Sequence, residues 1–300
     1  MQRSFSPIER ERAFDPDVWS MIEEGARYLQ PCHEGALMQH VVLAHPQIFQ
    51  NVMESRPAIV ARLKQDPESG MADLVSDVDW LWHQWRWRRG GRVIYEVDPL
   101  LLAAFSETDA RLSVADVPVP YSAMFIAAPA GLPLGVEGAF VDGWYVTEMD
   151  AQSSGTTIVI GGKTIAVSHT AAKGPLPNAA TNVRSLRVLA TSSVLEGGPV
   201  QAFFLPLEGA QSVDDWANGE VSRGALASAA DASRIPIWAR IVAHTLLYVS
   251  SVDADVEQVD LINERPPSAG EAPTSLRSDI PVRYFQVELN RFAVGESPYC

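Results

Sequence analysis

Hydrophobic positions along the chain repeat with two different periods, and the switch between them falls between Asp73 and Asp98, in DLVSDVDWLWHQWRWRRGGRVIYEVD. At a helical 100° per residue, Leu74, Val78, Leu81 and Trp85 share one face, the stripe of a core-facing helix. Trp80, His83 and Trp87 share the opposite face, with Ser76 beside them. Asp73, Asp77 and Asp79 crowd the first turns and Arg86, Arg88 and Arg89 the last, which suits the helix macrodipole. Gly90 and Gly91 then stop the helix, since one of them can take the left-handed conformation of a C-cap. Arg92 to Val97 alternates as a strand does, and Asp98-Pro99 supplies an N-cap and a first-turn proline for a short helix, Leu100 to Phe105.

Upstream, residues 1–72 read as helices broken by prolines: Pro16 to Leu29, Gly35 to Ala44, Pro46 to Met53 and Pro57 to Leu63. Downstream, the period becomes that of strands. Ser122 to Ala128, Gly138 to Glu148, Val183 to Ala190 and Val200 to Leu205 are strand candidates. Thr156 to Ile160 and Lys163 to Val167 form a hairpin around Gly161-Gly162. Ser212 to Ala217 and the apolar Ile235 to Val249 return to helix, and Val256 to Ile262 and Val282 to Leu289 to strand. The fold class expected is therefore α+β: a helical N-terminal region, a mostly antiparallel mixed sheet, and the apolar C-terminal helix packed on it. The expected divisions are 1–72 (helical), 73–262 (α+β core) and 263–300 (a Pro/Ser-rich linker and a last strand).

Composition narrows the function classes. With 47% hydrophobic residues, 300 residues can build a substantial core. A net charge of −14 disfavours broad nucleic-acid binding, although Arg86 to Arg92 is locally basic. Two cysteines, Cys32 and Cys300, make no disulfide framework and suit a cytoplasmic protein. The opening MQRSFSPIERERAF lacks the apolar core of a signal peptide, and no apolar run reaches transmembrane length.

No catalytic signature stands out. Gly161-Gly162-Lys163-Thr164 ends like a phosphate-binding loop, but Thr157 occupies the first glycine's place and the context is a hairpin. Cys32, His33, His40 and His45 cluster without the three- or four-residue spacing of helical metal pairs, and no metal or cofactor is expected. Glu137, Asp142, Glu148 and Asp150, with His169, leave open a metal-dependent hydrolase or nuclease. The tryptophan helix holds four of the eight tryptophans. It is either an internal layer, a surface for self-association, or an aromatic anchor flanked by arginines, the composition of binding hot spots. For the anchor, the contact residues expected are Trp80, His83, Trp87, Arg88 and Arg89.

The order of an aromatic helix ending in Trp-Arg, a glycine, Val93-Ile94-Tyr95-Glu96-Val97-Asp98 and a short apolar helix resembles a family of phage and plasmid proteins. Its known members include anti-CRISPR proteins that act against the type V-A single-effector nuclease. The resemblance continues through Val117-Pro-Val-Pro-Tyr121 and returns at Leu246-Leu247-Tyr248. It implies a mixed α/β fold, no cofactor, and recognition of a host protein, either a CRISPR effector or its nascent chain on the ribosome, with loss of the effector's expression. The pattern departs from the family at Pro266 to Cys300, which is Pro/Ser-rich where known members are rich in Arg, His and Trp.

Overall fold

The computed structural model describes residues 7–8, 19, 61, 64–66, 82–133, 140–151, 156–160, 163–167, 183–192, 199–222, 229–252, 254–259 and 282–288. Of the expected N-terminal helices only Trp19 and Ala61 are described, both helical, and Trp80 and the segment 263–281 lie outside the described residues. Residues 82–89 are helical (α1) and are stopped by the two glycines. Arg92 N–H donates to Trp87 O at 3.0 Å while Gly91 sits at φ +106°, closing the last turn as a left-handed cap that a side chain would strain. The chain reverses there into β1 (Val93–Val97). Asp98 caps α2 (Pro99–Glu107), its carboxylate accepting from Leu100 N at 2.7 Å. β2 (Ala123–Pro133), β3 (Phe140–Ala151), the hairpin β4–β5 (Thr156–Ile160, Lys163–Val167), β6 (Val183–Thr191) and β7 (Pro199–Pro206) follow. Then come α3 (Val213–Ser222), α4 (Ala229–Val249), β8 (Val256–Val259) and β9 (Arg283–Val287).

Seven strands form one sheet in the order β7-β6-β3-β2-β1-β9-β8, and β4–β5 stand apart as a two-stranded ribbon. The sheet is mixed and mostly antiparallel, as its sequence suggests, but β1 runs parallel to both of its neighbours, β2 and β9. The late strand β9 thus belongs to the same sheet as β1, although the long segment before it reads as a linker. α4 begins six residues earlier than the expected Ile235 and carries Pro236 inside it. A proline is most often a first-turn residue, so a sequence reading places the start beside it.

Alternation assigns side chains to two faces. Val93, Tyr95 and Val97 of β1, Met124 and Ile126 of β2, Trp144 and Val146 of β3, and Leu186 and Val188 of β6 point to the first. There they share one buried cluster with Leu101 and Leu102 of α2, Trp216 of α3, and Trp238, Ile241, Val242 and Leu246 of α4. Asp214 ties this helical layer together: it accepts from Arg240 Nε at 2.7 Å and from Ala110 N at 2.9 Å. Ile94, Phe125, Tyr145 and Leu189 point to the second face and are equally buried.

Gly143 marks how tightly the central strands meet. A Cβ there would lie 2.3 Å from Ile126 O and 2.6 Å from Phe125 Cζ, so backbone as well as ring would have to move. Gly143→Ala is therefore expected to cost about 3 kcal/mol. Urea denaturation checks this; an unchanged midpoint would show that the strands have slack.

Candidate functional site

The second face is where α1 lies, and the helix is buried almost all round. Trp82, His83, Gln84, Trp85, Trp87 and Arg88 are all buried, Arg86 is half-buried, and Arg89 is exposed. A helix apolar on both sides needs a layer on each. One layer is the sheet; to the other belong the buried Pro7 and Trp19 of the N-terminal segment.

Polar groups in this dry layer are matched individually. Trp87 Nε1 donates to Val93 O at 2.7 Å, across the glycine stop. Tyr145 Oη donates to Gln84 Oε1, and Gln84 Nε2 in turn donates to Pro7 O at 2.8 Å, a relay from the sheet through α1 to the N-terminal segment. His83 Nδ1 is 2.9 Å from Thr147 Oγ1, and the imidazole stands edge-on to Trp82 with centroids 4.7 Å apart. Arg86 reaches Glu148 O at 3.3 Å. Burial pushes the His83 pKa well below its ordinary value, helped by the guanidinium charges of Arg187 and Arg86, so the ring is neutral at pH 7.

Guanidinium groups cover the indoles. Arg88 lies 5.5 Å from the Trp19 ring, Arg89 5.2 Å from Trp85, Arg92 5.7 Å from Trp87, and Arg187 5.4 Å from Trp82 and 5.2 Å from Phe204. Such pairs contribute about 0.5–2 kcal/mol each, more as they are desolvated. The tryptophan–arginine composition that resembles a binding hot spot is thus turned inward.

Two residues of the exposed-anchor expectation lie inside the fold. Trp87 is fully buried and held by its indole N–H, and His83 is buried against Thr147. Arg88 is also largely buried, Arg89 alone of the described four presents itself to solvent, and Trp80 lies outside the described residues. Periodicity put Trp87 opposite the core stripe, and of the readings left open for that face the internal layer is the one its burial fits. Arg187, Thr147 and Gln84 were missed. The one signal for Arg187 was an arginine set between Leu186 and Val188 in the strand Val183–Thr191.

The carboxylate alternative fares differently. Asp142 and Glu148 both lie on β3, six residues apart, which at strand rise is roughly 20 Å and too far to share a metal ion. Glu148 is paired with Arg184. Glu137 and His169, the Asp150 side chain, and Cys32, His33, His40 and His45 lie outside the described residues. Among the described residues no three His, Cys, Asp or Glu side chains are placed to hold a metal. Ile160 pairs directly with Lys163 and Val159 with Thr164 in an antiparallel ribbon, so Lys163-Thr164 lies on a strand and not at the start of a helix as a phosphate loop requires. No described helix is long and apolar enough to cross a membrane.

The fold and this interior define an α+β protein in which one mixed sheet is covered by helices on one face and by an aromatic-basic helix on the other. The chain belongs to the AcrVA2-like family, the anti-CRISPR type V subtype A2 family, whose model matches residues 95–296. A solved structure described as the crystal structure of AcrVA2 is similar, with 12% identity and a TM-score of 0.46, over 90% of this chain and 78% of that one. No curated protein matches. The family stretch takes in α2 to α4 and β2 to β9 and leaves α1 ahead of it.

Stability separates the inward from the outward residues of α1. Trp87→Ala is expected to cost about 3–5 kcal/mol and Arg89→Ala about 1 kcal/mol or less. Equal and small losses in denaturant titrations would return Trp87 to the surface.

Proposed function

We propose that this chain is an anti-CRISPR-like protein-binding factor, encoded on a phage or plasmid and acting in the cytoplasm. Its target is a host effector protein of the type V-A kind, or that protein's nascent chain as it leaves the ribosome. The observation that carries this reading is the family match over residues 95–296, two thirds of the chain. The net charge of −14 supports a protein target over bare nucleic acid, because nucleic-acid affinity comes largely from phosphate neutralisation. Of the contact residues proposed from sequence, Arg89 is the one described with an exposed side chain, and it remains the contact candidate on α1; Trp80 stays with it as a proposal. Trp87 and His83 support the surface from beneath.

The test is expression of the chain in a strain that carries a type V-A nuclease and a matched guide, challenged with the targeted plasmid. Plasmid survival is expected to rise and the amount of nuclease protein to fall. Arg89→Glu, which keeps the fold, is expected to weaken the effect. Undiminished interference with the chain present in soluble form would contradict the proposal. Full protection by Arg89→Glu would remove that residue from the contact.

A further inference from the structure

His83 occupies a position that tolerates only a neutral ring. It has no exposed surface, and it sits over the register pair Thr147 and Arg187 on adjacent strands β3 and β6. Its Nδ1 is engaged by Thr147, and its Nε2 has no hydrogen-bond partner. The charged groups facing it from the described elements are cations: Arg86 from α1 itself and Arg187 from β6. Tyr145 of β3, its ring 6.1 Å away, is uncharged at neutral pH. Glu148, next along β3 from Thr147, turns to the other face by strand alternation, and its carboxylate is paired with Arg184. The rings of Trp82 and Phe204 lie against Arg187. A proton arriving at His83 would therefore place charge on a fully buried ring whose charged neighbours among the described residues, Arg86 and Arg187, are of the same sign.

We infer that His83 is an acid-sensitive latch, whose protonation frees α1 from the second face of the sheet while the opposite, helix-covered face stays folded. Two features make the release local. The described contacts of α1 with the strands are a few discrete links, at Val93 O, Thr147, Glu148 O and Tyr145 and between Trp82 and Arg187, together with the tryptophan rings. The first-face cluster, from Val93 through Leu246, includes no residue of α1. The sign follows from linkage. The closed state binds its proton more weakly than the open one, so the closed state is at full stability above the ordinary histidine pKa, about 6.5, and loses it as pH falls below that value. The open fraction then grows up to about tenfold for each pH unit below 6.5, until the buried ring itself titrates.

Hydrogen–deuterium exchange of the full chain, corrected for intrinsic rates and followed from pH 7.5 down to 5, reads this directly. Protection of amides 82–89 is expected to fall with that slope while strands β2 and β3 keep theirs. His83→Asn, which retains a side-chain hydrogen bond but does not titrate, is expected to abolish the pH dependence at 82–89. Arg187→Gln keeps the imidazole and removes one opposing cation from the closed state, so the onset stays near 6.5 while the rise ends at a higher pH and the total loss of protection is smaller. Protection at 82–89 that does not change with pH would overturn the inference. So would loss spread equally over β2 and β3, or an unaltered acid response in His83→Asn.

Discussion

The constraint on which this structure depends is that its central strands are buried on both faces. Ile94, Phe125 and Tyr145 are as dry as Val93, Met124 and Trp144. A sheet of that kind needs a cover on each side. The helices α2, α3 and α4 supply one, bound together through Asp214 and Arg240. The other is α1, and its composition follows from the task. It must present large rings to Phe125 and Tyr145, and it must leave few backbone or side-chain polar groups unsatisfied in a layer with little access to water. Tryptophan provides the area together with a donor, and arginine closes over the exposed edges of the indoles.

Charge gives this layer its particular character. Four arginines stand over four indoles there, while no carboxylate of the described residues shares that space with His83. The rings accept cationic charge through their faces, which favours guanidinium groups beside them. Neutral imidazole fits this setting, and imidazolium does not.

Much of the fold was legible because its signals are local. Asp98-Pro99 announces a capped helix, Gly90-Gly91 a stop, and Gly161-Gly162 a hairpin; each depends on residues within one turn of the chain. Strand candidates at Val183 and Thr156 begin where the strands begin for the same reason. What was not legible depends on long-range pairing. Nothing near Val93 says that it will lie parallel to Arg283, or that His83 will meet Thr147, 64 residues on. The same blindness governs the candidate site. Periodicity put Trp87 opposite the Trp85 stripe, but that side meets the sheet, through Val93 O and Thr147, while Gln84 and Arg88 meet Pro7 and Trp19 at the far end of the sequence. The family resemblance, by contrast, rests on an ordered pattern of elements, and the family model matches from Tyr95 onward, just past the tryptophan helix.

The central claim is that the tryptophan helix is an interior layer. The measurement that tests it most directly is hydroxyl-radical footprinting of the native chain, read residue by residue by mass spectrometry. Trp82, Trp85 and Trp87 should be as protected as Trp144, the indole at the middle of the sheet, and Arg89 should be labelled as an exposed side chain. Labelling of Trp85 and Trp87 at the level of the urea-unfolded chain, with Trp144 still protected, would place the helix outside the fold and contradict the account.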